Sequence, residues 1–237
     1  MHYALCISQT IYKFAIHDEI NSKTWIYTKE ALSEANTLHP DLIILHLNTY
    51  GGEVTYADSI RTAILRTETP IVAYIDNNAA SAGALISIAC DRIYMRSGSQ
   101  IGAATVVNGM DGSKMPDKYQ SYMRATMRAT AESHGKDSLG HWRRDPLIAE
   151  AMVDESVYIP GIIDTGKILT FTTKEAIQHH YCEAEVDNLD QLLIAEGYTP
   201  EQCTITEYKP SLYDKLKGTL MGTALRSILI MLIIGGI

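Results

Sequence analysis

Two stretches, DLIILHLN at 41–48 and IVAYI at 71–75, are apolar and β-branched over most of their length. A strand of this kind has no face to spare for water, so it belongs inside a sheet covered on both sides. Parallel strands joined through helices meet that condition, and the residues around these two supply the helices. Val54, Ala57, Ile60, Ile64 and Leu65 recur at helical spacing between them, and Thr69-Pro70 ends that helix before the second strand begins. Upstream, residues 10–16 read as a strand, and a helix over 25–38 ends at His39-Pro40. Strand and helix alternate at short intervals, which predicts an α/β fold.

The pattern continues more loosely. A helix over 81–89 is rich in small and apolar residues, and Arg92 to Met95 make a short strand. GSQIG is a tight loop, and GAATVVNGMDG is a segment bounded by glycines. Pro116-Asp117-Lys118 opens the clearest helix, with proline and acid suited to a first turn. Tyr119, Tyr122, Met123, Thr126, Met127 and Thr130 are expected on its inner face, and Gly135 ends it. A helix over 146–155, a strand at KILTF, a helix over 173–181 and a helix over 188–196 follow, with TITEY as a last strand. Thr172 and Glu175 have the spacing of a capping box.

Composition narrows the function. The 237 residues suffice for one mixed core with a short appendage. A net charge of -8 without a basic stripe excludes a binder of nucleic-acid phosphates. Cys6, Cys90, Cys182 and Cys203 are widely spaced and form no CxxC pair, so they read as isolated thiols rather than a zinc site.

Chemistry enters at Ser81, within NNAASAGA, where a buried strand gives way to a helix of small residues. Such a junction exposes a side chain while the helix's first N–H groups point at the same spot. Gly51-Gly52 follows another buried strand, and glycines there allow close approach of a substrate backbone and supply an amide donor. Two strand ends of one sheet can deliver both features to a shared edge. A helix-capping serine and an ordinary turn explain the same residues equally well. A nucleophilic serine also needs a base. None of the eight histidines stands in a marking motif; His46 reads as a packed strand residue and His134 as a helix-end residue, the first alternative base. Lysine can serve instead when its amine is uncharged, and Lys118 stands in a first helical turn, where a cation is disfavoured, although composition does not separate it from Lys114 or Lys136.

Four segments in order, NTYGGEV, NNAASAGALISIACDRIYM, GSQIGAATVV and PDKYQSYMRATMRATAESHGKD, resemble the membrane-associated serine proteases of the NfeD family, within the Clp-protease and crotonase superfamily. The resemblance spans about residues 10–190. It implies a ClpP/crotonase-like α/β fold of repeated β-β-α units. It implies a Ser–Lys dyad, with the nucleophile at Ser81 in AASAG and the base at Lys118 in PDKYQSYM. Asn48 to Gly52 match the family's Asn-x-Pro-Gly-Gly loop, with Tyr50 in the proline position. The amides of Gly51 and Ala82 are then the oxyanion donors, and Gly52 lines the substrate groove. No metal or cofactor is implied. The implied partners are a peptide or membrane-protein substrate, stomatin-like proteins among them, and a second copy in a homodimer. Two competing readings share parts of the pattern: a crotonase-like acyl-CoA enzyme and a non-catalytic membrane scaffold.

The expected layout has four parts. Residues 1–9 are the remnant of a signal segment, 10–205 the protease domain and 206–218 a polar linker. Residues 219–237 are the truncated start of a transmembrane region, since no charge follows Arg226 and upstream residues bring the apolar run to about the length of a span. This C-terminal hydrophobic tail anchors the chain, and the protease domain lies on the outer face of the cytoplasmic membrane.

Overall fold

The computed structural model describes residues 9–221. In chain order the elements are β1 (Gln9–Ile16), α1 (Ser22–Leu38), β2 (Leu42–Thr49), α2 (Val54–Leu65), β3 (Ile71–Ala80), α3 (Ala82–Ala89), β4 (Arg92–Met95) and β5 (Gln100–Gly102). Then come α4 (Asp117–Glu132), α5 (Pro146–Ala151), β6 (Thr170–Thr172), α6 (Thr173–Gln178), β7 (Ala184–Glu185), α7 (Leu189–Ala195), β8 (Cys203–Glu207) and α8 (Leu212–Met221). Strand and helix alternate one for one as far as β4. Two strands followed by a helix occur at β4, β5 and α4.

The strands form one sheet in the order β6-β5-β3-β2-β1-β8, with β4 beside β3 and β7 beside β4. All pairs are parallel except β5 with β6. β3 is shared lengthwise: Val72 to Ile75 pair with β4, and Asn78 to Ala80 pair with β5. Alternation within the apolar strands sorts side chains between two cores. Tyr12, Phe14, Ile43, Leu45, Leu47, Ile71, Ala73 and Ile75 pack under α1 to α5, whereas Ile11, Leu42, Ile44, Val72 and Tyr74 pack under Leu192 and Leu193 of α7. Both faces of β2 and β3 are therefore covered, as their composition requires. Every residue of α3 is buried, which its mixture of Ala, Gly, Leu and Ile permits.

Local signals act as expected in several places. Thr172 and Glu175 form the full capping box at α6. α4 differs in its rotation: Gln120, Met123, Thr126, Met127, Thr130 and Ala131 are buried, while Tyr119 and Tyr122 are exposed. Gln120 displaces them because its amide accepts from Val106 N–H and donates to the carbonyls of Val106 and Met115, tying the preceding loop to the helix.

The C-terminal region requires a correction. Membrane attachment through a span at 219–237, and with it a place at the cytoplasmic membrane, is not what the described chain shows. Among the described residues no helix is long and apolar enough to cross a membrane. The described part of α8 is Leu212–Met221. It carries Asp214, Lys215 and Lys217. Residues 206–218, expected as a linker, hold the end of β8 and most of α8. Tyr208 N–H donates to Lys13 C=O, and Lys217 pairs with Glu30 of α1 at 3.0 Å. Residues 1–8 and 222–237, which include most of the expected signal remnant and tail, lie outside the described residues.

Candidate active site

Parallel neighbours end at the same edge of a sheet, so the loops after β2 and β3 meet. The register sets how closely. Thr49 pairs with Ala79 after an irregularity between Leu47 and Thr49, and two residues further along each strand stand Gly51 and Ser81. Asn48 fills the irregular step by accepting the Asn78 N–H at 3.3 Å. A Cβ built on Gly51 would lie 2.6 Å from Ser81 Cβ and 3.1 Å from Ser81 Oγ. Only glycine allows that approach, and its φ of +108° also favours glycine.

Ser81 occupies the N-cap position of α3 without capping it. Asn21, Asp145, Thr172 and Asn188 cap α1, α5, α6 and α7 through their side chains, whereas the Ser81 side chain makes no cap hydrogen bond. Its φ of 55° and ψ of -117° lie outside the regions that ordinary residues favour. Neighbouring backbone imposes this turn. Ser81 N–H donates to Gly102 C=O at 2.9 Å, and Ser81 C=O accepts from Ala84 N–H at 3.0 Å. Ala82 is the first residue of the helix, so its N–H has no intrahelical acceptor and points out beside the serine. The structure thus brings Ser81, Gly51 and Ala82 together.

Gly52 faces the other way. It forms an isolated parallel bridge with Ile20, in which Ile20 N–H donates to Gly51 C=O and Glu53 N–H donates to Ile20 C=O, both at 2.8 Å. That pattern leaves the N–H and C=O of Gly52 pointing away from Ile20. A side chain at Gly52 would meet the Ile20 carbonyl oxygen at 2.2 Å. A cavity of about 420 Å³ opens beside the loop, lined by His17, Asp18, Glu19, Asn48, Tyr50 and Gly52 among others. Tyr50, in the proline position, is 80% exposed and leaves the loop's contacts to the glycines.

Lys118 is not brought to Ser81 by any bond. It is exposed in the first turn of α4, with Nζ 5.1 Å from the Tyr119 ring centre. His134, the alternative base, serves the far end of α3: its Nε2 lies 2.6 Å from Ile88 C=O. An eight-residue helix separates that contact from Ser81 by about 10 Å. Burial, and then the adjacent Arg144 cation, lower the His134 pKa to about 4. Arg144 is buried and donates to the carbonyls of Ile88, Cys90 and Asp91, closing the same helix end. His46 lies on the α7 side of the sheet, 3.5 Å from Asp76 and stacked on Tyr74. Among the described residues no cluster of His, Cys, Asp and Glu is arranged to hold a metal ion.

Sequence reasoning passed over Thr49 and Ile20, which brace the glycine loop. Thr49 stands two residues before Gly51, a spacing at which a hydroxyl bonds backbone, and this could have marked it. Ile20 has no local signal, since its partners are some thirty residues away.

Comparison with known proteins places these features in a lineage. The chain is 33% identical over 208 residues to "Membrane protein NfeD1b" of Bacillus subtilis, covering 87% of this chain and 45% of that protein. It is 26% identical over 190 residues to "Membrane-bound protease PH1510" of Pyrococcus horikoshii, covering 77% and 38%. The chain therefore spans less than half the length of these relatives. Among solved structures, a lysine-to-alanine variant of the 1510-N membrane-bound stomatin-specific protease, in complex with a substrate peptide, superposes with a TM-score of 0.73 at 22% identity, over 90% of this chain and 98% of that one. A serine-to-alanine variant of the same protease superposes with a TM-score of 0.70 at 20% identity, over 86% and 99%. ClpP1 from Listeria monocytogenes superposes less closely, with a TM-score of 0.53 at 16% identity, over 79% and 96%. At such identities these likenesses establish the fold, a mixed α/β arrangement that loosely resembles ClpP. The model of "NfeD1b, N-terminal domain" matches residues 10–207, and the chain belongs to that family.

Proposed function

We propose that this domain is a serine-type peptidase in which Ser81 is the nucleophile, Lys118 the base, and the amides of Gly51 and Ala82 the oxyanion donors. The observation that carries this reading is Ser81 itself. A residue type suited to capping is held at φ 55°, makes no cap bond, and lies against a glycine that could bear no side chain. Strain of this kind costs about 1–3 kcal/mol and persists where surrounding structure over-determines it, which is common at active sites.

Hydrolysis takes two steps. Lys118, as the free amine, accepts the Ser81 proton while Oγ attacks the scissile carbonyl carbon. The C=O electrons pass to oxygen, and that oxyanion is held by N–H groups of the loop and of α3. Collapse expels the amine, which takes the proton from Lys118 and leaves an acyl ester on Ser81. Water then attacks the ester through the same base, releasing the acid and restoring Ser81. This role requires the Lys118 stem to leave the Tyr119 ring and turn to the serine. The substrate is an extended peptide, apolar around the scissile bond, whose backbone pairs with the open N–H and C=O of Gly52 beside the cavity. Two of the fold neighbours are a serine and a lysine variant of a protease, one with a substrate peptide, which favours a pair of these residue types.

The test is cleavage of fluorogenic extended peptides, together with labelling by a fluorophosphonate. Labelling that maps to Ser81 and is lost in Ser81→Ala supports the assignment. Cleavage by a folded Ser81→Ala protein at the unmodified rate would refute it.

A further inference from the structure

The two donors assigned to the oxyanion are in different states. Ala82 N–H is free of any helical acceptor, but Gly51 N–H donates to Thr49 Oγ1 at 3.1 Å. Thr49 is 2% exposed and its hydroxyl is tightly placed. Its hydrogen goes to Asp18 C=O at 2.8 Å, the nearer of two carbonyls, with Gly51 C=O at 3.4 Å. With its hydrogen committed there, the oxygen presents a lone pair to Gly51 N–H. The Thr49 methyl rests on the first turn of α3, where a Cβ on Gly83 would meet Cγ2 at 2.8 Å. Thr49 therefore touches both elements that carry the donors.

We propose that Thr49 is a positioning residue that holds Gly51 N–H in the free enzyme and yields it only as charge develops on the substrate oxygen. The inference rests on the serine-peptidase reading above. A hydroxyl is a neutral acceptor, and so is the carbonyl of a bound peptide. Exchanging one for the other gains little. An oxyanion is a charged acceptor whose bonds are about twice as strong, so it takes the N–H from Thr49. The Gly51 bond is then made in the transition state and not in the ground state, so Thr49 withholds binding energy from the bound peptide and from the transition state alike, which raises KM and leaves the barrier of the chemical step as it is. Removing the hydroxyl while keeping its shape, in Thr49→Val, frees the N–H beforehand. Bound peptide then uses it too, so KM falls about fivefold, one neutral hydrogen bond's worth, while kcat stays within about twofold.

Two readouts test this in the full chain. The first is hydrogen exchange at the Gly51 amide without substrate: slow in the wild type, several-fold faster in Thr49→Val, slow again in Thr49→Ser. The second is affinity for a peptide boronate. Ser81 Oγ bonds to boron and its proton passes to solvent, giving a tetrahedral anion with one hydroxyl in the oxyanion position. Thr49→Val is expected to bind the boronate about fivefold tighter than the wild type, and Thr49→Ser equally well. Unchanged Gly51 exchange in Thr49→Val overturns the proposal. So does faster exchange with weaker boronate binding in both variants, which marks Thr49 as a packing residue. Equal boronate affinity of the wild type and Ser81→Ala overturns the serine reading and the exchange together. An intact Ser81 dependence with no gain in Thr49→Val overturns the exchange alone.

Discussion

Ser81 and Lys118 both stand at the start of a helix, yet their surroundings have little in common. Ser81 leads into α3, buried along its whole length, and its own N–H and C=O are bonded. The other end of α3 is closed by Arg144 and His134. Lys118 is the second residue of α4, whose first three residues are exposed and whose N-cap, Pro116, makes no cap bond. Its amine rests over Tyr119, with no hydrogen bond or ion pair among the described residues. One half of the proposed site is held by non-local backbone and stores strain; the other is a long side chain on a surface turn. The contrast suits a nucleophile that must be aimed and a base that must exchange protons with water.

Substitutions can break this contrast, and the largest effects fall on the chemistry. Ser81→Ala should lower peptide cleavage at least about 10⁴-fold. Lys118→Arg should lower it about 10²–10⁴-fold, since arginine keeps its proton and cannot act as a base. Near-normal cleavage by Lys118→Arg would remove the lysine from the mechanism and leave the exposed half without a role. Gly51→Ala should cost about 10²–10³-fold in kcat, because the new methyl displaces Ser81 or turns away the oxyanion donor. Crystallography of that variant would show which.

Stability sharpens the same comparison on a smaller scale. Ser81→Gly relieves a positive φ and should raise unfolding free energy by about 1 kcal/mol, measured by urea titration. Lys118→Ala should change it by less than about 0.5 kcal/mol, as an exposed side chain does. Similar values for the two would deny that strain is confined to the serine. A further effect is read as a pH dependence and concerns the far end of α3. His134 is neutral in the fold, with its pKa lowered from 6.5 to about 4. Between those values the unfolded chain takes up a proton that the folded one refuses. This contribution to stability is therefore present near neutrality, declines as pH falls below about 6.5, and is exhausted near pH 4. His134→Gln should flatten that part of the urea midpoint's pH dependence.

Much of this molecule was legible because the deciding partners are near in sequence. The Thr172 to Glu175 capping box spans four residues and forms as its spacing predicts. The contiguous apolar run in β2 required burial on both faces and obtained it. For α4, periodicity predicted a buried face but misjudged which residues lie on it. Tyr119 and Tyr122 yield to Gln120 because the loop at Val106 and Met115 needs hydrogen-bond partners that tyrosine rings cannot supply. The apolar C-terminus suggested a membrane span, but most of that run lies outside the described residues, and hydropathy says nothing of the ion pair by which Lys217 of α8 meets Glu30 of α1.

The amino-acid order by itself determined that Ser81 follows a buried strand, that small residues surround it, and that glycines end the strand beside it. Those are properties of short segments, set by φ preferences and by which side chains tolerate water. Only the tertiary structure decided that Gly51 touches Ser81, that His134 belongs to the wrong end of α3, and that Lys118 lies open to solvent. Each of these depends on the register of β2 against β3 or on the packing of α3 against α4. Those arrangements are fixed by the whole core at once, because a hydrogen bond needs its partner placed within tenths of an ångström and no single segment carries that information.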